Sequence, residues 1–326
     1  MSFSSSTPSC YPSPMNAPQI YRLSSLSIID VGGADAAAIV HNVTTNQVKS
    51  LEVGEGRETF ITDVRGKTLW HAFLYRQSDR FRLIGPSGQS QRFVEHLDRY
   101  TIREDAVPLI RDEDHFVFVV PPGGSDALGI SWPESSDKGS IHSWSLSMGD
   151  VAVEAFVTRW LGESTVVVLV PSDQITRFDQ WMVEQSLAVG GDDGFHRMRI
   201  TVGFPWYGAD MTDANLPQEA DRDDQTISFT KGCYLGQETV ARLDALGQVQ
   251  KKLVLWTIRG AIPEVDAKLE SDGKTVGRLT SIAKVDSPEA DAVAIGFARR
   301  SHFEPGATAA GVTSAGDAFE ASVIAT

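Results

Sequence analysis

The sequence predicts an α+β protein that ends in a small β-barrel or sandwich. Three features carry this reading. Residues 57–86 alternate apolar and polar side chains between short turns, helical stretches flank them, and beyond Gln248 the chain is all short strands separated by Gly, Pro and Asp. Taken in order, the opening MSFSSSTPSCYPSPMNAP is rich in Ser and Pro. It has no basic start, no apolar centre and no arginine, so residues 1–17 are expected to be a disordered tail rather than a signal or transit peptide. SIIDVGGADAAAIVHNVTTNQV reads as a strand, a Gly32-Gly33 turn and a helix from about Ala34, with Asp35 suited to the positive end of the helix dipole. RETFITDVRGKTLWHAFLYRQSDRFRLIGP supplies three strands, turning at Arg65-Gly66 and Ser78-Asp79. SGQSQRFVEHLDRY then places Phe93, Leu97 and Tyr100 on one helical face.

A second unit starts near Asp112. HFVFVV is a strand broken by Pro121–Gly124, Pro133–Ser140 is an exposed loop, and STVVVLV is a buried strand. SDQITRFDQWMVEQSL is a helix with Ser172 as candidate N-cap. The pattern thus divides into a tail (1–17), a first α+β unit (18–111), a second (112–194), a motif-bearing region (195–247) and an all-strand end (248–326).

Composition excludes several classes. Across 326 residues, Lys+Arg of 29 against Asp+Glu of 43 leaves a net charge of −14, which repels phosphate backbones and anionic lipid, so neither nucleic acid nor a membrane is expected as direct partner. No apolar run reaches the roughly 18 residues of a membrane span. The two cysteines, Cys10 and Cys233, form no disulfide framework, which points to a reduced, cytoplasmic setting. Familiar signatures fail. Ile61 stands where a phosphate loop ending in Gly66-Lys67-Thr68 needs glycine, Thr59 spoils a dinucleotide fingerprint, and Gln89 spoils a nucleophile elbow at Ser87. The histidines and cysteines show no metal-ligand spacing, so no metal site is expected.

One stretch is different. TKGCYLGQETVAR, residues 230–242, sets Cys233 among a lysine, two glycines and a Gln-Glu pair, before a run that can be helical. A thiol so placed is reactive if exposed, whereas a free cysteine otherwise serves as a small buried hydrophobe. Leu216–Leu253, LPQEADRDDQTISFTKGCYLGQETVARLDALGQVQKKL, resembles the signature of the YgfZ family of folate-binding proteins, related to the glycine-cleavage T-protein, an aminomethyltransferase. The K-G-C-Y-x-G-Q-E core is matched at Lys231, Gly232, Cys233, Tyr234, Gly236, Gln237 and Glu238. Weaker likeness covers GGADAAAIVHNVTTNQV, FITDVRGKTLWHAFLYR and the terminal strands, and fades between Asp112 and Gly190.

The resemblance implies a three-domain cloverleaf around a folate site: a discontinuous α+β domain (18–111 plus 195–247) that binds folate, a second α+β domain (112–194) and a C-terminal small β-barrel (248–326). It implies tetrahydrofolate or a derivative as cofactor. The implied role is an accessory one in assembling or repairing iron–sulfur proteins, with those proteins or their assembly factors as partners and a link to tRNA modification. Glu219 would face the pterin edge, whose adjacent N–H donors suit a carboxylate; taken alone it is an ordinary surface acid. Tyr207 would border the ligand or merely pack its loop. Lys231 and Arg242 would hold a glutamate tail or be solvated charges. Gln237 and Glu238 would brace the local turn. Cys233 would be the reactive residue, at the rim of the same cavity as Glu219. One departure matters: where the T-protein carries an aspartate pair, this chain has Trp70 and His71. Aminomethyl transfer is therefore not expected. The alternative is a folate-dependent aminomethyltransferase-like enzyme or demethylase using another group such as His71 or Asp63.

Overall fold

Alternating hydrophobicity builds the first half of the molecule. The computed structural model describes residues 20–130, 141–247 and 249–325; the Ser/Pro-rich start with Cys10 and the loop at Pro133–Ser140 lie outside them. Strands β1 (Ile20–Leu23) and β2 (Ser27–Gly32) lead into helix α1 (Ala36–Val43), which starts one residue beyond Asp35 at its N-cap position. The three expected strands are β3 (Glu55–Thr62), β4 (Thr68–Arg76) and β5 (Arg80–Gly85), antiparallel in sequence order. Helix α2 (Ser90–Asp98) buries Phe93 and Leu97, and β6 (Val107–Ile110) pairs beside β2.

The second half holds β7 (His115–Val120), the short helix α3 (Gly124–Ala127), β8 (Ile141–Met148), β9 (Val151–Thr158), β10 (Thr165–Pro171), helix α4 (Ile175–Glu184), β11 (Val189–Gly190) and helix α5 (Asp192–Thr201). Ser172 does not cap α4. It opens a 3-10 turn, and its hydroxyl donates to Glu113 O at 2.8 Å. Both halves share one sheet, ordered β11-β1-β7-β10-β9-β8-β3-β4-β5-β2-β6. The join is the β3–β8 pairing, Glu55 with His142 and Gly56 with Ile141. Strand β1, from a stretch expected to belong to the first unit, pairs with β7 and β11 of the second.

After α6 (Asp223–Thr226) and α7 (Gln237–Leu246) the chain forms β12 (Lys251–Gly260), β13 (Lys268–Ser271), β14 (Lys274–Ser287), β15 (Ala290–Arg299), β16 (Thr308–Val312) and β17 (Ala318–Ile324). These close into a six-stranded barrel, ordered β12-β15-β14-β13-β16-β17. The barrel has its own core around Trp256, Ile258, Leu279 and Phe319. Its opposite face, through Leu253, Leu255, Val293 and Ile295, belongs to the same core as Val40, Phe60 and Leu74. A buried polar clamp adds direction to this join. Arg199 of α5 pairs with Asp210 at 2.7 Å and donates to Ser281 Oγ at 2.9 Å, while Thr280 donates to Asp210 at 2.6 Å. The mixed α/β body with its terminal barrel is thus as expected. Strands β1, β6, β8, β9, β11, β13 and β16 and helices α3, α5 and α6 are additions that the sequence reading does not contain.

Candidate functional site

The residues between α6 and α7 have little regular structure, so their backbone groups must find partners elsewhere. They find them on distant segments. Ser228 N donates to Thr45 O at 3.0 Å, Leu235 N to Asn42 O at 2.9 Å, and Thr62 Oγ1 to Leu235 O at 2.7 Å. Lys231 Nζ donates to three carbonyls, those of His41 (2.8 Å), Thr44 (2.6 Å) and Asn46 (2.8 Å). An ammonium has three donors and no acceptor, and the last carbonyls of a helix lack intrahelical partners. The lysine therefore caps the C-terminal end of α1, where the dipole also favours a cation. Lys231 is 5% exposed, and burial pulls its pKa down to about 7. The neighbouring His41 is lowered to about 4 by its own burial and by the charges of Lys231 and Lys49, so it is neutral at physiological pH. The implied role of Lys231 as holder of a glutamate tail meets an ammonium whose donors are all taken.

Gly236 shows why the motif needs its second glycine. Its φ is +78°, and a Cβ there would lie 2.4 Å from Gly66 Cα and 2.6 Å from Asp63 O. Gly66, also at φ +78°, has room for a Cβ only at 3.0 Å from Thr239 and 3.1 Å from Gly236 O. Two glycines distant in sequence thus let the β3–β4 turn and the start of α7 touch backbone to backbone. Between the lysine anchor and this contact, Gly232 and Cys233 are exposed. Arg242 is exposed on α7.

Glu219 lies in a 3-10 turn, Pro217–Ala220, and is 9% exposed. Its Oε2 accepts from Asn215 Nδ2 at 2.6 Å and lies 3.5 Å from Lys251 Nζ. Glu219 lines a cavity of ≈630 Å³ whose wall also contains Lys251, Arg278, Phe297, Arg299 and Arg300. In a chain with an excess of acids, this is a local concentration of cations. Lys251 Nζ also stands 4.5 Å over the Phe297 ring. None of Tyr207, Lys231, Cys233 or Arg242 is in that wall. Tyr207 instead packs in the core at 4% exposure, donating to Thr68 O at 3.1 Å, and burial raises its pKa to about 12. A larger cleft of ≈970 Å³ flanks β13, β16 and β17 and holds none of these residues.

A third centre was not anticipated. Glu58, fully buried on β3, accepts from Arg222 Nε at 2.5 Å and Nη2 at 2.7 Å, and from His71 Nε2 at 2.9 Å. Burial pushes its carboxyl up, but the charge and hydrogen bonds of Arg222, with His71, hold it well below the usual range. The His71 ring is stacked between Phe60 (4.5 Å) and Phe204 (5.4 Å), and Arg222 lies 4.6 Å over Phe204. Burial lowers the pKa of His71 while Glu58 works against that shift; the neutral ring donates through Nε2. The available signal was parity: Glu58 shares the inward register of Phe60 on an alternating strand. Trp70 donates to Pro86 O inside the core. Asp63 accepts from the amides of Arg65 and Lys67 in its own turn. None of the groups weighed for transfer chemistry stands beside the Glu219 cavity. Among the described residues, no group of three or more His, Cys, Asp or Glu is arranged to hold a metal ion.

The model of the GCVT N-terminal domain matches residues 15–226. The chain belongs to the GCVT family. The match stops short of Lys231, so the cysteine motif lies beyond it. Among curated GCVT relatives, the chain is 25% identical to the mitochondrial iron–sulfur cluster assembly factor IBA57 homolog of Neurospora crassa, over 83% of this chain and 60% of that protein. It is 24% identical to the tRNA-modifying protein YgfZ of Colwellia psychrerythraea, over 74% and 73% respectively. It is 25% identical to the aminomethyltransferase of Streptomyces avermitilis, over 90% and 81%. The alignments span less than two thirds of the Neurospora protein and of a similar chloroplastic protein of Arabidopsis thaliana, 60% and 62% of their lengths. In structure the chain matches the glycine cleavage system aminomethyltransferase T of Bartonella henselae, with a TM-score of 0.79 at 17% identity, over 95% of this chain and 86% of that one. This places the fold with the T-protein. No helix among the described residues is long and apolar enough to cross a membrane.

Proposed function

We propose that this GCVT-family chain binds a reduced folate and acts as an accessory protein in the assembly or repair of iron–sulfur proteins, with Cys233 as its reactive residue. The observation that carries the reading is the cavity beside Glu219. At ≈630 Å³ it falls in the usual range for sites of drug-sized ligands, and it joins one nearly buried carboxylate to a cationic wall. A pterin offers donors and a folate tail offers carboxylates, so the donor set fits the group. Glu219 would accept from the pterin edge, and Lys251, Arg278, Arg299 and Arg300 would meet the tail, taking the role first considered for Lys231 and Arg242. When bound, the folate supplies a carrier of one-carbon units. The names IBA57 and YgfZ among the relatives support the iron–sulfur and tRNA-modification setting. The buried, paired state of His71 and the turn-bound Asp63 favour this accessory role over methylene transfer.

Calorimetry with tetrahydrofolate tests the reading. Glu219→Ala should weaken binding by about 2 kcal/mol or more, the cost of leaving polar groups unpaired. Equal affinity in both proteins would remove Glu219 from the site. No binding by the unaltered chain would remove folate altogether. In a deletion strain, complementation by the wild-type chain but not by Cys233→Ala should restore iron–sulfur enzyme activity.

A further inference from the structure

The exposed thiol and the buried lysine two residues before it need a common explanation. A loop that merely joins α6 to α7 needs no buried ammonium, because burying a cation is costly unless every donor is satisfied. Here every donor is satisfied, and by one short segment, the end of α1 and the two turns after it. The acceptors converge on Nζ from three carbonyls, an arrangement that a tetrahedral ammonium meets and a planar guanidinium does not. The other fastenings of the loop are backbone amides, the Thr62 hydroxyl on Leu235 O and the Gly66–Gly236 contact. Among the described residues, Lys231 is the only side chain of positions 231–236 that hydrogen-bonds to α1 and the turns after it. The exposed pair Gly232-Cys233 follows it directly.

We propose that Lys231 is the positioning residue of Cys233: its ammonium pins the loop to the end of α1 so that the thiol is presented in one fixed orientation. This rests on Cys233 being the reactive residue and is independent of folate. The groups facing the ammonium are His41 from α1, Lys49 acting through His41, and Tyr234 from the loop itself, whose ring lies 4.9 Å from Nζ; Asp223 of α6 in turn acts on Tyr234. None of them supplies a carboxylate to Lys231, so the three carbonyls carry the anchor.

The test is a nitroxide spin label on Cys233 in a Cys10→Ser background. The unaltered loop should give the broad line shape of an immobilised label. Lys231→Ala should sharpen it, and hydrogen exchange of the amides at 232–236 should quicken by about tenfold while that of β12 stays unchanged. Ethylammonium, which can refill the slot with three donors, should restore the broad spectrum; tetramethylammonium, with the charge but no N–H, should not. Lys231→Met, which keeps the stem and removes only the donors, should behave as Lys231→Ala does, and it serves if the alanine variant does not fold. A mobile label in the unaltered loop overturns the proposal without any variant. So does an unchanged line shape in either folded variant, or rescue by both amines alike. Iron–sulfur enzyme activity does not enter the readout, so failure of the proposed function and failure of this anchor are separate results.

Discussion

Arg222 and Lys231 are nine positions apart, and the fold treats their charges in opposite ways. Arg222 meets a carboxylate: two of its N–H groups grip the fully buried Glu58, and His71 fills a further acceptor site. Lys231 donates only to neutral carbonyls. A cation paired with an anion in a dry site stays ionised through ordinary pH, and removing either partner strands the other. A cation held by carbonyls keeps its proton only as far as three dipoles and a helix end can offset its burial. The first arrangement suits a permanent joint between β3, β4 and the 217–226 segment. The second suits a fastening for a loop that carries an exposed group.

The largest expected effect comes from breaking the first pair. Arg222→Met leaves a buried carboxylate without its main partner and should cost about 3–5 kcal/mol in urea unfolding near neutral pH. The sign with pH follows from Glu58, whose folded pKa lies below its unfolded one. Its contribution is present above the ordinary carboxylate pKa and is lost as pH falls through the acid range. The deficit of Arg222→Met should therefore shrink in acid; a deficit independent of pH would show that Glu58 is not the group stranded. Next in size is Gly236→Ala. It combines an unfavourable positive φ with a 2.4 Å approach to Gly66 Cα and should cost roughly 2–3 kcal/mol. Because it opens the contact between the β3–β4 turn and α7, it should also mobilise a label on Cys233 while leaving the Glu58 centre intact. A loss below about 0.5 kcal/mol would mean that the backbone shifts freely and that the contact fixes nothing.

How much of this was open to sequence reading depends on where the partner groups reside. Strands β3 to β5 were readable because their period is local, and so were the long barrel strands. Strands β13 and β16 have four and five residues and carry Lys, Ser or Gly, so they give little alternation of their own. Helix α5, DDGFHRMRIT, buries Phe195 and Ile200 together with the polar Arg199, so its buried side shows no continuous apolar stripe in the sequence. At the site, Glu219, singled out from the sequence, lines a cavity, whereas Cys233 is exposed and outside that cavity's wall. The assignment of Lys231 could not be made that way, because its acceptors are backbone carbonyls 185 to 190 positions earlier, and a carbonyl has no residue identity. Likewise, of the cations of the Glu219 cavity only Lys251 falls within Leu216–Leu253; Arg278, Arg299 and Arg300 come from β14 and from the end of β15 onward, well past the motif in sequence.

The smallest effect is the most discriminating, because it asks whether the carbonyls hold the Lys231 proton as well as water does. Below about pH 7 both the folded and the unfolded chain carry the charge, and the fold bears the full cost of burying it. Between there and the ordinary lysine pKa of about 10.4, the unfolded chain keeps a proton that the folded chain has released. Stability rises with pH wherever the unfolded state binds more protons, so this lysine contributes a rising limb on the alkaline side of neutrality. Lys231→Met lacks the group and should lack the limb. The difference in urea midpoint, wild type minus variant, should therefore grow in favour of the wild type from about pH 6.5 to about pH 9.5. His41 stays neutral across that range and Tyr234, raised to about 12, stays protonated. Asp223, pushed up to about 6 by burial and the neighbouring acids, titrates near the start of that range. Asp223→Asn in both proteins should leave the rising difference in place. A flat difference would show that three carbonyls and the end of α1 fully offset the burial, making Lys231 as permanent a fastening as Arg222.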